Sequence, residues 1–265
     1  MNGDDVDKSL SQSISEKLLI ELNKEMPLIG KTLEGRLIIP DWKNFAGELK
    51  EIFTECEKNT SGQTAQYIPQ LAAVPPEQFG ISVTSIDSQQ FSHGDSDELF
   101  CVQSCCKPII YCIAIELTSH EIVHRHIGRE PSGRNFNELA LDKNNLPHNP
   151  LINAGAIMAC SLILPEKEQA EKFDYVVNVW KDLTAGFQPV FSNPTYLSEL
   201  ETADRNFCLG YLMKEKGSFP PHVDSGEKLL EVLEFYFQMC SLQLTSKTLS
   251  IVAATLANGG VNPIT

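Results

Sequence analysis

The sequence has no long apolar run, since none of its hydrophobic segments approaches the roughly 18 residues that a membrane-spanning helix needs. It is also poor in positive charge: 21 Lys and Arg stand against 35 Asp and Glu, which gives a formal net charge of −14. A surface of this sign disfavours nucleic acids and anionic membranes as partners. We therefore expect a protein that binds neither nucleic acid nor membrane.

The eight cysteines include no Cys-x-x-Cys pair, and most of them lie within apolar segments. This distribution disfavours a disulfide framework and predicts small buried side chains in a reducing compartment. The acidic N-terminus, residues 1–7, is unlike a secretory signal and unlike an Arg-rich mitochondrial presequence. If Met1 is the true N-terminus, we expect a cytosolic protein.

The first part of the chain reads as a short helical segment. Residues 1–8 are polar and are expected to be disordered, and apolar spacing then predicts helices at 11–26 and 41–56. Pro27 and Gly30 are expected to end the first helix, and Asp41 to cap the second. The polar tract 58–66 is the best linker, so the predicted division is 1–60 and 61–265.

The larger segment predicts a mixed α/β, helix-rich domain. Period-two alternation at 80–86, a turn and a second short run predict a β-hairpin. Helices are predicted to begin near residue 104 and to cover the stretches 151–164, 167–183, 194–214, 228–240 and 245–256. Because an antiparallel sheet needs more than one hairpin to be stable, we expect the chain to end inside its domain.

Ser104 and Lys107 are the residues most informative about chemistry. Pro108 is tolerated only in the first turn of a helix, so a helix should begin at or near Ser104, with both side chains on one face. An apolar site favours the neutral lysine amine, which can take the hydroxyl proton and make a nucleophile. This is the Ser-x-x-Lys pattern of penicillin-recognising acyl-transfer enzymes. Taken alone, it also fits a capped helix start with an exposed lysine.

Three further polar residues are candidates for binding. Asn153 stands among small apolar neighbours, and it either bonds to the backbone or points into a cleft to hold a polar substrate. Glu199 and Asn206 are two helical turns apart, so both should face one way, on a solvated face or on a binding face. Asp204 and Arg205 lie between these two residues in the sequence, and both are expected to form structural ion pairs.

His120 and His124 match the His-Glu-x-x-His pattern of zinc peptidases, in which Glu121 would act as general base. No compelling third ligand follows on a second helix, and glycine and proline end the helix soon afterwards. A zinc peptidase is therefore a distant alternative, and no metal site is expected.

Several short strings, in order along the chain, resemble the glutaminase family, specifically the animal phosphate-activated kidney and liver type. They lie at 67–71, 103–108, 130–133, 147–150, 153–156, 171–175, 204–207 and 254–260. The resemblance implies a fold similar to serine β-lactamases and penicillin-binding proteins. It also implies hydrolysis of L-glutamine to L-glutamate and ammonia through a glutamyl-serine acyl-enzyme.

The resemblance also implies a role for each site residue. Ser104 is the nucleophile and Lys107 its base. The hydroxyls of Tyr67 and Tyr236 assist proton transfer and contact the substrate. The clamp on the amino and carboxylate ends of the substrate consists of Asn153, Glu199 and Asn206.

The same resemblance implies no cofactor, inorganic phosphate as an activator, assembly as dimers and tetramers, and a mitochondrial location. The loop near 134–143 matches the segment at the family's tetramer contact, but Glu138, Ala140 and Leu212 differ from the residues that relatives commonly carry. The resemblance therefore gives no expectation of allosteric inhibition at that contact.

The family's domain continues beyond Thr265, where it supplies another active-site tyrosine and the second oxyanion donor. Two hypotheses follow from the sequence. One is a glutaminase catalytic segment, incomplete at its C-terminal end. The other is a catalytically inactive truncated chain that binds full-length subunits and modulates their assembly.

Overall fold

The computed structural model describes residues 17–265, apart from positions 19, 22 and 26. The expected disorder of residues 1–8 lies outside this part of the chain. The described residues from 17 to 25 are helical, as predicted, but Pro27 does not end the helical structure. It lies in helix α1, Pro27–Leu33, and Gly30, the other expected end, is inside the same helix, so both predicted ends are wrong.

Helix α2, Trp42–Cys56, forms where the sequence predicts it. The Asp41 side chain accepts a hydrogen bond from the Asn44 amide at 3.2 Å and so caps its N-terminus. The tract 58–66 that follows has almost no regular structure. A division of the chain near residue 60 stays a prediction.

The predicted hairpin is confirmed. Strands β1, Gly80–Thr84, and β2, Gln90–Gly94, pair antiparallel, and a short helix α3, Pro69–Ala72, precedes them. The turn between the strands contacts the N-terminal segment through Asp87, which is buried. Its carboxylate accepts from Lys31 Nζ and from the Ile38 amide, each at 2.8 Å.

A second sheet was not predicted. It has the order β3-β5-β4, with both pairs antiparallel, and its strands are β3 (Phe100–Cys101), β4 (Val190–Phe191) and β5 (Leu242–Leu244). Strands of two or three residues are too short to give a period-two pattern in a sequence.

The remaining helices are α4 (Cys106–Leu117), α5 (His120–His126), α6 (Asn153–Ser161), α7 (Gln169–Leu183), α8 (Asn193–Glu201), α9 (Asp204–Glu215), α10 (Gly226–Cys240) and α11 (Ser246–Ala257). All nine residues of α6 are buried, as the apolar run 151–164 predicts, and α6 contacts α4, α9 and α10. The predicted single helix 194–214 is wrong, because Thr202 and Ala203 separate α8 from α9.

The fold is mixed α/β and rich in helix, as predicted. All eight cysteines are free, but the expectation that they are buried is wrong for Cys56, Cys105, Cys112 and Cys208, which are exposed. None of the helices in the described ranges has the length and apolar character required to span a membrane.

Candidate active site

Ser104 lies in a 3₁₀ turn, Gln103–Cys105, directly after strand β3. The Val102 amide donates to the Leu242 carbonyl at 2.8 Å, so the central strand β5 fixes the start of this turn. Helix α4 continues from Cys106, and Ser104 itself is exposed. Helical structure therefore begins where the sequence predicts it, although the first turn is 3₁₀ rather than α.

Lys107 is buried, with 3% of its surface exposed. Its Nζ donates to Asn153 Oδ1 at 2.8 Å and lies 5.6 Å from the centre of the Phe136 ring. Burial lowers the pKa of Lys107, because the charged form loses its solvation. No hydrogen bond joins Ser104 Oγ to Lys107 Nζ among the described residues, although one turn separates them.

Asn153 opens helix α6 and makes two side-chain contacts. Its Oδ1 accepts from Lys107, and its Nδ2 donates to Asn206 Oδ1 at 2.9 Å. The amide is therefore satisfied by side chains, and the alternative of a purely backbone-bonded asparagine does not hold. The three residues come from α4, α6 and α9, so this chain of hydrogen bonds fixes three helices at one point.

Tyr67 and Glu199 meet on the other side of the site. The Tyr67 hydroxyl lies 2.6 Å from Gln103 Oε1 and 3.1 Å from Glu199 Oε1. Only 8% of the Glu199 surface is exposed, and burial raises the pKa of its carboxyl. Tyr67 is 55% exposed, but partial burial and the neighbouring Glu199 raise the pKa of its hydroxyl, which keeps its proton.

These side chains surround one cavity of about 420 Å³. Its lining includes six of the seven predicted site residues: Tyr67, Ser104, Asn153, Glu199, Asn206 and Tyr236. Lys107, the seventh, is not in the lining and connects to the cavity through Asn153. The fold therefore brings together the residues that the sequence reasoning selected. The prediction that Glu199 and Asn206 lie two turns apart on one helix is wrong, because they lie on separate helices.

Tyr236 and Cys240, one turn apart on α10, also line the cavity. Tyr236 is buried, and burial raises the pKa of its hydroxyl well above the ordinary value. The Cys240 thiol lies 3.9 Å from the Cys106 thiol, sulfur to sulfur. This contact joins the end of α10 to the start of α4, which carries Lys107.

Seven of the lining residues were not selected from the sequence, and three of them have side chains of chemical interest: Gln103, Phe136 and Arg205. Gln103 adopts a φ of 47°, a left-handed conformation that its residue type does not signal. Phe136 lies on an exposed loop, and a solitary aromatic in a polar stretch carries no helical or strand pattern. Arg205 and Asp204 were expected to form structural ion pairs, and this is wrong, because neither makes one with any residue that the structure describes.

The His-Glu-x-x-His motif lies on α5, away from this lining. Both ring nitrogens of His124 are occupied, because Nε2 accepts from the Tyr111 hydroxyl at 2.7 Å and Nδ1 donates to the Ile127 carbonyl at 2.9 Å. Glu121 pairs with Arg125. In the described ranges, no group of three or more His, Cys, Asp or Glu is placed to hold a metal ion.

Solved structures with a similar fold include one titled a probable glutaminase, YbaS. It is 31% identical, with a TM-score of 0.77, over 84% of this chain and 71% of the other. A second, Mglu in its native form, is 34% identical, with a TM-score of 0.74, over 81% of this chain and 51% of the other. Glutaminases have a β-lactamase-like fold, so the predicted fold class is confirmed.

The mouse mitochondrial liver isoform of glutaminase is 39% identical over 98% of this chain and 43% of its own length. A glutaminase of Microcystis aeruginosa is 37% identical over 87% of this chain and 65% of its own length. The chain thus spans less than half of the animal relative. The family model described as Glutaminase matches residues 62–265. With this match over most of its length, the chain belongs to the glutaminase family.

Proposed function

We propose that the chain hydrolyses L-glutamine to L-glutamate and ammonia through a glutamyl ester on Ser104. The observation that carries the proposal is the pairing of an exposed serine at a cavity with a buried lysine amine one turn away. The pKa of that lysine is lowered by burial, which brings it closer to the range that suits a general base.

In the first half of the proposed reaction, Lys107 takes the proton of the Ser104 hydroxyl as the oxygen attacks the side-chain amide carbon of glutamine. The backbone amide of Ser104 can steady the developing oxyanion, since the amides of Cys105 and Cys106 donate within the turn. The tetrahedral intermediate collapses, the C–N bond breaks, and ammonia leaves with the proton that Lys107 had accepted. In the second half, water attacks the ester and releases glutamate and the free serine.

The charge pattern of the cavity supports glutamine as the substrate. Glu199 is a buried carboxyl group that can pair with the α-ammonium, and the amides of Asn153 and Asn206 can donate to the α-carboxylate. The hydroxyls of Tyr67 and Tyr236 lie at the same cavity, where they can contact the substrate and assist proton transfer.

We further infer that the protein is of the animal phosphate-activated type, with inorganic phosphate as activator and no cofactor. Support comes from the match to the mouse liver isoform, which covers nearly the whole of this chain. A dimeric or tetrameric assembly and a mitochondrial location belong to the same inference, since the name of that relative includes the word mitochondrial.

The experiment is ammonia release from L-glutamine, measured with and without phosphate. We expect release by the unmodified chain and its loss in Ser104→Ala. Cys105→Ala is the matched control, because Cys105 is the exposed neighbour in the same turn and should keep activity. Folded protein that releases no ammonia, or equal release by Ser104→Ala, contradicts the proposal.

A further inference from the structure

The Tyr67 hydroxyl has one hydrogen and two acceptors within hydrogen-bond distance. Gln103 Oε1 lies at 2.6 Å and Glu199 Oε1 at 3.1 Å. The shorter contact takes the hydroxyl hydrogen, and the contact to Glu199 then needs a hydrogen of its own. A protonated Glu199 supplies that hydrogen, since its carboxyl O–H can donate to the Tyr67 oxygen.

Among the described residues, the surroundings of Glu199 offer an ionised carboxylate no paired cation, and only the neutral side chains of Gln103 and Tyr67 oppose the effect of burial on its pKa. It makes no ion pair within 4 Å with any described cation, and it is 8% exposed. The titratable and charged groups nearest to it or lining the same cavity are Tyr67 before α3, Cys101 on β3, Arg205 on α9, and Tyr236 and Cys240 on α10. Arg205 is the cation in this group, and it is exposed.

We propose that the Glu199 carboxyl holds a proton while the cavity is empty and releases it to solvent when the ammonium group of a ligand arrives. The proton and the ammonium then compete for one carboxylate. This inference rests on the proposed function, because that function brings an α-amino acid into the cavity. The inference adds that ligand binding replaces the proton on Glu199 with the ammonium group of the ligand.

The orientation of the Gln103 amide is the alternative to be tested. If the amide were turned over, its N–H groups would donate to the Tyr67 oxygen, and the hydroxyl hydrogen would go to an ionised Glu199. That arrangement leaves a buried charge with a single hydroxyl donor and no paired cation, which is costly. The observed orientation has a cost of its own, because Gln103 Nε2 is then buried without a hydrogen bond to any residue that the structure describes. The titration below distinguishes the two orientations.

The first experiment uses the ligand-free chain and infrared spectroscopy of its carboxyl groups as a function of pH. Difference spectra against Glu199→Gln isolate the Glu199 signal, and Glu201→Gln isolates an exposed carboxyl two residues further along. We expect the protonated signal of Glu199 to persist to a higher pH than that of Glu201. Equal midpoints overturn the proposal, whatever the chain hydrolyses.

If Glu199→Gln fails to fold, Tyr67→Phe identifies the same signal. Loss of the tyrosine hydroxyl removes the oxygen that accepts the hydrogen of the protonated carboxyl, so the Glu199 signal should move to lower pH. A titration that Tyr67→Phe leaves unchanged overturns the pairing on which the proposal stands.

The second experiment is calorimetry of L-glutamate binding in two buffers that differ in ionisation enthalpy. Between the midpoints found for Glu201 and Glu199, we expect release of about one proton per ligand bound, and tighter binding as pH rises. Binding with no proton release overturns the proposal. A protonated Glu199 in a chain that releases no ammonia would instead contradict only the proposed function, since the infrared measurement needs no turnover.

Discussion

Lys107 and Asn153 are joined by a buried hydrogen bond of 2.8 Å between Nζ and Oδ1. The partner of the lysine is an uncharged amide, so nothing at this contact compensates a positive charge on the amine. Burial lowers the pKa of Lys107, because the charged form loses its solvation, and so favours the neutral amine. A lowered pKa suits this lysine to the role of base in the proposed reaction.

Asn153→Asp should abolish most activity. The new carboxylate would lie beside Lys107 Nζ, hold its proton and raise its pKa, so that the amine could no longer accept the serine proton. We expect a fall in kcat of about 100-fold to 10,000-fold, the contribution typical of a general base. The measurement is the pH profile of kcat/KM, whose acid limb should move to higher pH.

Asn137→Asp is the control for that substitution. Asn137 also lines the cavity but makes no hydrogen bond to Lys107. A comparable loss in this variant would show that negative charge in the cavity, rather than its position at Lys107, is responsible.

The lowered pKa of Lys107 sets the direction of the pH dependence. Because the neutral amine is the active form, kcat/KM should rise as pH rises through the pKa of Lys107 and should fall in acid. Lys107→Arg should be inactive throughout, since a guanidinium stays protonated at every pH of interest. Activity in Lys107→Arg that follows the same acid limb would assign the base to another group.

Asp87→Asn should loosen the N-terminal segment from the hairpin. Its hydrogen bond with Lys31 holds the pKa of Asp87 below its usual value, so its stabilisation is present above the unfolded pKa of about 3.9 and is lost as pH falls through the folded pKa. We expect a loss of about 1–3 kcal/mol in unfolding free energy at neutral pH, as for hydrogen bonds of charged groups. Urea unfolding at several pH values measures it, and the difference should shrink in acid.

Asp97→Asn is the matched control, because Asp97 also pairs with a lysine, Lys247, but is largely exposed. Surface pairs of this kind contribute about 0–1 kcal/mol. If the two variants lose the same stability, burial of Asp87 is not what gives its contact strength.

Gly155→Ala should destabilise the domain. A Cβ at this position would lie 1.9 Å from the Asn149 carbonyl oxygen, so helix α6 or the loop before it must move. Overpacking of this kind costs about 1–3 kcal/mol or more, which unfolding by urea would reveal. Gly47→Ala, on the exposed face of α2 with no atom within 4 Å of its Cβ, should instead stabilise by about 0.5–1 kcal/mol.

Chelation should leave activity unchanged, because His124 already uses both ring nitrogens within the protein. Glu121→Gln should likewise keep activity and lose only an exposed ion pair with Arg125. A fall in ammonia release on dialysis against a chelator, reversed by zinc, would contradict this expectation.

Helices were predictable where apolar spacing is sustained. The apolar stripe of α2 and the unbroken apolar run of α6 both gave correct elements, since burial imposes those patterns directly. The break between α8 and α9 was missed, because Thr202 and Ala203 carry neither proline nor glycine to mark it. The short strands β3, β4 and β5 were missed because their pairing is decided by distant partners.

The sequence predicted which residues belong to the site better than it predicted the hydrogen bonds that join them. Ser104, Lys107 and Asn153 stand out in sequence because polar groups interrupt apolar runs. The bond from Lys107 to Asn153 depends on how α4 and α6 pack, and no spacing along the chain reveals it. Gln103 was missed for the same reason, since its role comes from a backbone conformation and from Tyr67, 36 residues earlier.

The central strand β5 has a consequence for how this protein can change over evolution. Gln243 pairs with Cys101 on one side and with Val190 on the other, so the segments that lead to Ser104 and to Glu199 are aligned on the same residue. Almost ninety residues, which include helices α4–α7, separate those two segments along the chain. Insertions in the outer loops of this stretch can accumulate without moving Ser104 relative to Glu199. The pairing of the three short strands, rather than those loops, aligns the two residues.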